Sequence, residues 1–183
     1  NFFKTNNKLF NKKINLGLDL QGGSYLLLEI DNSPVIEQKL QNTATLIKNF
    51  FKEKKIRVGN LYIKNQKITF TVEDQFKQNI VDVFNDENSE INPYYPRFKS
   101  HQFNLVDLEN SLELSFSKQG LVELKTSSQD QALEIIRRRI DEIGTNEPNI
   151  LKRGNDRVLV ELPGLDDPMR IKSLLGKTAN LTF

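Results

Sequence analysis

The sequence predicts an α+β fold: ferredoxin-like split βαβ units, in which antiparallel or mixed sheets have helices packed on one face. The main observation is that apolar residues in the first half alternate between the period of two typical of strands and the longer period of helices. The resulting order is strand, helix, strand, strand, helix, strand, as in a split βαβ unit. The second half adds helix, hairpin, helix and strand, which is compatible with a second such unit.

Composition excludes several classes of function. The 183 residues include no cysteine and only one histidine, His101, so disulfides, thiolate zinc sites and cysteine nucleophiles are excluded. The formal net charge is only +2, so the chain lacks the large excess of cations that is typical of dedicated nucleic-acid-binding proteins. No apolar run approaches the roughly 20 residues that cross a bilayer. We therefore expect no catalytic, cofactor or metal site, and a membrane anchor only outside this chain.

The chain opens with an irregular lead-in, residues 1–15, followed by a strand region punctuated by glycine. Residues 16–23 (LGLDLQGG) alternate apolar positions and end in Gly22-Gly23, where the backbone is free to turn or bulge. The next strand, residues 24–30, contains an unbroken apolar run, Tyr25 to Leu28, which predicts burial on both faces.

A long amphipathic helix comes next, with Ser33 as the expected N-cap and Pro34 as its first residue. Apolar residues at intervals of three or four form one stripe that ends at Phe51. Cations gather at the end of the helix, where they favour the helix dipole; an acidic membrane surface or polypeptide segment is the alternative explanation. These cations are Lys52, Lys54, Lys55 and Arg57.

The middle of the chain predicts shorter elements. Two strands, 60–64 and 67–72, precede a weaker amphipathic helix, 74–84. Residues 85–96 show no period and are rich in Asn, Asp, Glu and Pro, which predicts a surface loop. Two extended segments are expected beyond it, at about 98–107 and 112–116.

The strongest helix pattern ends at Ile143, with Gly144 in the position that favours a left-handed turn. Its start stays open. Ser128 is one possible cap, whereas the apolar stripe extends back to about Lys118 if Gly120 is tolerated at a cost of about 1 kcal/mol.

The remaining elements are a hairpin, 149–162, a stop at Pro163-Gly164, a short helix ending at Gly176, and a strand, 178–183. The expected organisation has three parts. They are the lead-in, 1–15, a first α/β unit, 16–110, and a second α/β unit, 111–183, which we interpret as truncated.

Four local patterns could indicate a chemical site, but each also has a simpler structural explanation. We favour the structural explanation in all four cases. Gly22-Gly23 precedes a strand and not a helix, unlike a phosphate-binding loop. The three arginines at 137–139 point in different directions around a helix, and the two aspartates at 166–167 suit a helix cap better than a metal site. His101 has no Cys or Asp constellation beside it.

Two stretches resemble the first periplasmic region (P1) of the SecD family, bacterial protein-export membrane subunits. The first is LGLDLQGGSYLLLEID at 16–31. The second, 135–183, combines an R-x-R-I-x-x-x-G helix end, an E-P turn, a V-E-L-P-G strand end and a G-x-T-A-x-L-x-F terminus. Gln21 stands where many relatives have Arg, which leaves the backbone shape of the glycines intact.

The resemblance implies a non-enzymatic domain on the periplasmic side of the cytoplasmic membrane, held there by transmembrane helices that this chain lacks. Its implied partners are SecF, the SecYEG translocon and the translocating preprotein, with the proton gradient as the energy source. The chain resembles most of the base of that region, without the head subdomain.

The resemblance also selects residues with an architectural role. Glycines and prolines are expected to set turns, while Asp19, Arg139 and Glu147 are candidates for paired charges that dock strand on helix. The full set is Gly17, Asp19, Gly22, Gly23, Arg139, Gly144, Glu147, Pro148, Pro163 and Gly164.

A stand-alone ferredoxin-like domain that binds RNA or a small ligand is the alternative. RNA binding requires aromatic side chains exposed at the centre of the sheet and surrounded by cations. Tyr25 and Phe70 are the candidates, although both fit core alternation equally well.

Overall fold

The structure is a computed structural model that describes residues 23–144, 147–165, 167 and 169. The described part of the chain contains three helices: α1 (Ser33–Glu53), α2 (Asp74–Asn85) and α3 (Lys118–Ile143). Its strands are β1 (Gly23–Glu29), β2 (Gly59–Lys64), β3 (Lys67–Thr71), β4 (Tyr94–Tyr95), β5 (Ser100–His101), β6 (Phe103–Leu108), β7 (Ser111–Phe116), β8 (Asn149–Arg153) and β9 (Arg157–Pro163). The predicted lead-in, final helix and final strand lie outside the described residues.

The chain divides into two compact units. The four-stranded unit comprises residues 29–132 and 154–156, and the three-stranded unit comprises 1–28, 133–153 and 157–183. These limits differ from the predicted division after residue 110. That division falls between β6 and β7, which pair along their whole length from Phe103–Phe116 to Leu108–Ser111.

The four-stranded sheet has the order β2-β3-β7-β6, and all its neighbours are antiparallel. In the register of β3 and β7, Ile68 lies opposite Leu114 and Phe70 opposite Leu112, and all four side chains are fully buried. The apolar stripes of α1 and α2 join the same core, including Phe51 and Phe84. The predicted α+β class is confirmed.

The first strand is not part of this sheet, contrary to the split βαβ arrangement expected for the first half. β1 pairs with β9, in a three-stranded sheet of order β1-β9-β8. The order of elements along a chain restricts strand pairing without determining it, because a distant strand of matching length competes with the nearby ones. β1 and β9 each have seven residues.

Both ends of α1 differ in detail from expectation. The N-cap is Asn32 and not Ser33, and the backbone N–H of Ser33 donates to Oδ1 of Asp31 at 2.9 Å. That hydrogen bond lowers the pKa of Asp31. At the other end, the N–H of Ile56 donates to the carbonyl of Phe51 at 2.8 Å and Lys55 has φ 59°. This is a Schellman turn with lysine in the left-handed position that usually contains glycine.

The predicted surface loop, 85–96, contributes to the core. Ile91 and Asn92 are each only 1% exposed. The Asn92 side chain donates to the carbonyls of Phe84 and Phe103, at 2.8 and 3.0 Å, and accepts from the N–H of Phe103 at 2.9 Å. One amide therefore joins the end of α2 to the start of β6.

The start of α3, which the sequence left open, is at Lys118. Ser117 is the N-cap: its Oγ accepts from the N–H of Gly120 at 2.9 Å and donates to the carbonyl of His101 at 2.6 Å. Gly120 is required here, because a Cβ at this position would lie 2.1 Å from the carbonyl oxygen of Gln102.

Candidate functional site

The two stretches of sequence with motif character come together in the three-stranded sheet. β1 continues the glycine-rich segment, and β9 ends in the Pro163-Gly164 turn. The Oγ of Ser24, at the start of β1, donates to the carbonyl of Leu165, beyond the end of β9, at 2.5 Å. At the opposite ends, the N–H of Ile30 donates to the carbonyl of Asp156 at 2.7 Å. β1 therefore runs antiparallel to β9.

The two faces of this sheet differ in exposure. Counting inward from the hydrogen bond between Ile30 and Asp156 places Leu27 opposite Leu159, and Leu159 pairs with Leu151 of β8. On the other face of the sheet, Ser24 is buried, as are Val158, Val160 and Leu162.

The outer face of β1 is exposed, contrary to the expected burial on both faces. Tyr25 is 59% exposed and Leu27 is 48% exposed, and Leu151 on β8 is 42% exposed. We call the row formed by Tyr25, Leu27, Leu159 and Leu151 the apolar stripe. Its central residue, Leu159, is itself only 2% exposed.

All the described motif residues belong to the three-stranded unit. They are Gly23, Arg139, Gly144, Glu147, Pro148, Pro163 and Gly164. Gly17, Asp19 and Gly22 lie outside the described residues. The sequence pattern therefore selected positions that the fold gathers in one unit, although they come from three separate parts of the chain.

Backbone conformation explains the glycines among them. Gly144, directly after α3, has φ 73°, as predicted for a left-handed turn, and Gly164 has φ 75° at the end of β9. Gly23 has φ 148°, a conformation that residues with a Cβ rarely adopt. Glu147 has φ 53° and precedes Pro148, so the E-P turn also contains a left-handed residue.

The proposed charge pairs remain predictions. Arg139 is half-buried on α3, which is compatible with an ion pair in the three-stranded unit. Asp19, one of its candidate partners, is outside the described residues. Arg137, two residues before Arg139, forms an exposed ion pair with Glu134 at 2.8 Å.

The ring of His101 contacts an aromatic side chain and a backbone carbonyl. Its ring lies 4.7 Å from the ring of Tyr94, and Nε2 lies 3.1 Å from the carbonyl oxygen of Asp86, which requires Nε2 to be the donor. No cluster of three or more metal-ligand side chains occurs within the described residues. In the same part of the chain, no helix combines the length and apolarity needed to cross a bilayer.

The features required for RNA stacking are found only in part. Phe70 is fully buried, so its ring is unavailable to a base. Tyr25 is exposed, but it lies on β1, which is at the edge of a sheet in the part of the chain that the structure describes. On the face of the four-stranded sheet opposite the helices, the central pair is Thr69 and Glu113, and Glu113 bridges Lys67 at 2.7 Å.

Sequence reasoning missed the apolar stripe and the hydrogen bond from Ser24 to Leu165. The alternation of Tyr25 and Leu27 with Ser24 was visible, but an unbroken apolar run hides the distinction between one buried face and two.

Comparison with known proteins gives concordant results. Residues 129–183 match the family model described as the N-terminal part of the P1 domain of protein translocase subunit SecDF, and residues 9–34 match the SecD/SecF GG motif. No solved structure gives a significant match.

Curated relatives match along the whole chain. The chain is 34% identical over 186 residues to protein translocase subunit SecD of Rickettsia conorii and 35% identical over 188 residues to that of Rickettsia bellii, with all of this chain covered. SecD of Acetobacter pasteurianus is 32% identical over 173 residues, or 94% of this chain. The chain spans about a third of the length of these relatives. Together, the P1 domain model, the GG motif model and the matches along the whole chain show that it belongs to the SecD family.

Proposed function

We propose that this chain is the periplasmic base of a SecD-type subunit, and that it assists proton-gradient-driven protein translocation together with SecF and the SecYEG translocon. Family membership supports a role in protein translocation. In this proposal the domain is not catalytic. It contacts the translocating polypeptide or changes orientation during transport.

The observation that carries the proposal is the concentration of motif residues in the three-stranded unit. The residues gathered there are mostly glycines and prolines that determine turns, beside a strand with an apolar outer face. Such residues position a backbone and bind apolar groups, whereas acid–base catalysis requires titratable groups placed together.

The apolar stripe is the proposed contact surface for polypeptide. A translocating chain is unfolded, so it presents both apolar side chains and unpaired backbone groups. Tyr25 and Leu27 are exposed on β1, which among the described residues is an edge strand, so their side chains offer apolar contacts to an extended segment.

The test places a photoreactive residue in the full-length subunit and arrests a secretory precursor during transport. We expect crosslinks to the precursor from position Leu27 and none from Leu46, which lies on α1. The two leucines are matched controls because they are 48% and 44% exposed. Crosslinking from both positions, or from neither, would contradict the proposed contact surface.

A second measurement uses precursor processing in cells depleted of their own SecD. Leu27→Asp should slow signal-peptide removal, whereas Leu46→Asp should leave it unchanged. Failure of the wild-type full-length subunit to restore processing would contradict the translocation role itself. Titration with single-stranded RNA at several salt concentrations tests the alternative, since binding with a steep salt dependence would support it.

A further inference from the structure

The geometry points to a second interaction surface, at the C-terminal end of α1, which binds the anionic headgroups of a phospholipid membrane. We call it the basic cluster; it consists of Lys48, Lys52, Lys54, Lys55 and Arg57. The inference rests on the proposed function for one point only, that the domain works beside a membrane. The contacts and backbone conformation of α1 carry the rest.

The cations of this cluster are exposed and available. All five side chains are exposed, and the segment from residue 48 to residue 57 contains a single carboxylate, Glu53. Within the described residues, none of the five takes part in an ion pair. Lys54 lies over the ring of Phe50, 5.4 Å from its centroid, which orders that lysine at the surface.

The backbone at Lys55 is the first sign that a cation lies here at a cost in stability. Lys55 occupies the left-handed position of the Schellman turn, with φ 59°. Glycine suits this position best because a Cβ disfavours it, and Gly144 occupies the same position after α3. A helix that needed only to end would be better served by glycine.

The spacing of two lysines is a second sign. Lys48 and Lys52 are four residues apart on an exposed face of α1, where like charges destabilise a helix. The helix dipole explains a cation in the last turn, but it favours neither this repulsion nor a lysine in a left-handed turn.

The helix end favours an extended anionic surface over a single bound anion. A discrete phosphate site uses backbone N–H groups, as at a helix N-terminus, whereas a C-terminus presents carbonyl oxygens that repel anions. Four of the five cations are lysines, whose flexible stems suit a diffuse surface better than fixed bidentate recognition. Clusters of about four to eight such cations are typical of binding to anionic lipid.

The test measures binding of the chain to sedimented vesicles of phosphatidylcholine with and without phosphatidylglycerol. We expect binding only with phosphatidylglycerol, and weaker binding at higher salt. The double variant Lys48→Gln/Lys55→Gly should bind about thirty-fold more weakly, or about 2 kcal/mol, since each cation contributes about 1 kcal/mol at an anionic surface. Both changes relieve unfavourable local interactions, so lost binding would not reflect unfolding.

The control is Lys64→Gln/Lys118→Gln, which removes two exposed lysines elsewhere. Each double variant lowers the formal net charge from +2 to 0, because two cations are lost. We expect the control to bind like the wild type. Equal losses in both variants, no loss in the cluster variant, or no preference for phosphatidylglycerol would overturn the inference.

A competition assay separates the other anionic partners. If polyglutamate or single-stranded RNA displaced the chain from labelled vesicles at a lower concentration of negative charge than unlabelled phosphatidylglycerol vesicles do, the lipid assignment would be wrong. Failure of vesicle binding leaves the crosslinking result at Leu27 unaffected, so the two proposals fail separately.

Discussion

The two sheets of this protein are built in different ways. The four-stranded sheet consists of two hairpins, β2–β3 and β6–β7, joined by the pairing of β3 with β7, and it buries one face under α1 and α2. The three-stranded sheet joins β1 to β9 from the two ends of the described chain, and Tyr25 and Leu27 on the outer face of β1 are exposed. The motif residues of the family lie with the three-stranded sheet and not with the larger core. In this fold, the family's motif residues therefore lie in the sheet where segments distant in sequence pair.

The largest effect is expected for the buried side chain of Asn92, in the core of the four-stranded unit. Asn92→Ala should lower the free energy of unfolding by about 3 kcal/mol, because it leaves the N–H of Phe103 and two carbonyls buried without partners. Urea denaturation measures this change. Asn88→Ala, at an exposed position, should stay within about 0.5 kcal/mol of the wild type. An equal effect of both variants would mean that the buried amide network does not stabilise this unit.

The next effect concerns the close approach of α3 to the segment before β6. Gly120→Ala should destabilise the protein by about 2 kcal/mol, although alanine is the better helix former, because the added carbon meets the backbone of Gln102. Thermal unfolding with the variant Gln119→Ala as a control checks it. A more stable Gly120→Ala variant would show that helix propensity dominates and that the backbone contact can relax.

A smaller effect is expected in the three-stranded sheet. Gly23→Val should destabilise by over about 1 kcal/mol, since valine does not adopt φ 148° without strain. Native-state hydrogen exchange should show faster exchange of β9 amides and little change in β3. The control Leu27→Val also introduces a valine into β1, but at a position that is not glycine, and it should have little effect. Unchanged exchange in β9 would contradict the backbone role of this glycine.

The smallest effect has the opposite sign. Lys55→Gly should stabilise the protein by about 0.5–1 kcal/mol by relieving the left-handed lysine. Gly144→Lys is the reciprocal change at the end of α3. No described atom lies within 4 Å of the position that a Cβ would take there, so the expected destabilisation comes from the backbone alone. Melting midpoints that shift in the same direction for both variants would refute this account.

Local physics made much of the fold predictable. The stripe ending at Phe51, the β8–β9 hairpin and the turn at Gly144 follow from periodicity and turn chemistry within a few residues. The partner of β1 was not predictable, because strand pairing depends on which edges meet in three dimensions. Asn92 and Gly120 were missed for the same reason: an amide network and a helix touching a distant carbonyl leave no local pattern.

The sequence selected the motif residues but did not specify how the fold arranges them. The motif pattern selected Gly23, Pro163 and Gly164, and the fold places them at the ends of neighbouring strands. The exposure of Tyr25 and Leu27 depends on what covers each face of the sheet, which an apolar run does not specify.

The hydrogen bond from Ser24 to Leu165 joins residues 141 positions apart, and this separation determines an order of folding. All strands of the larger sheet precede Ser117, so that sheet can form while the rest is still being synthesised. β1, made first, must wait for β9, because closing so long a loop is slow. Pulse-labelled hydrogen exchange should therefore protect β3 and β7 before β1, and simultaneous protection would contradict this sequence of events. Until then, the apolar edge of β1 needs shielding from other chains.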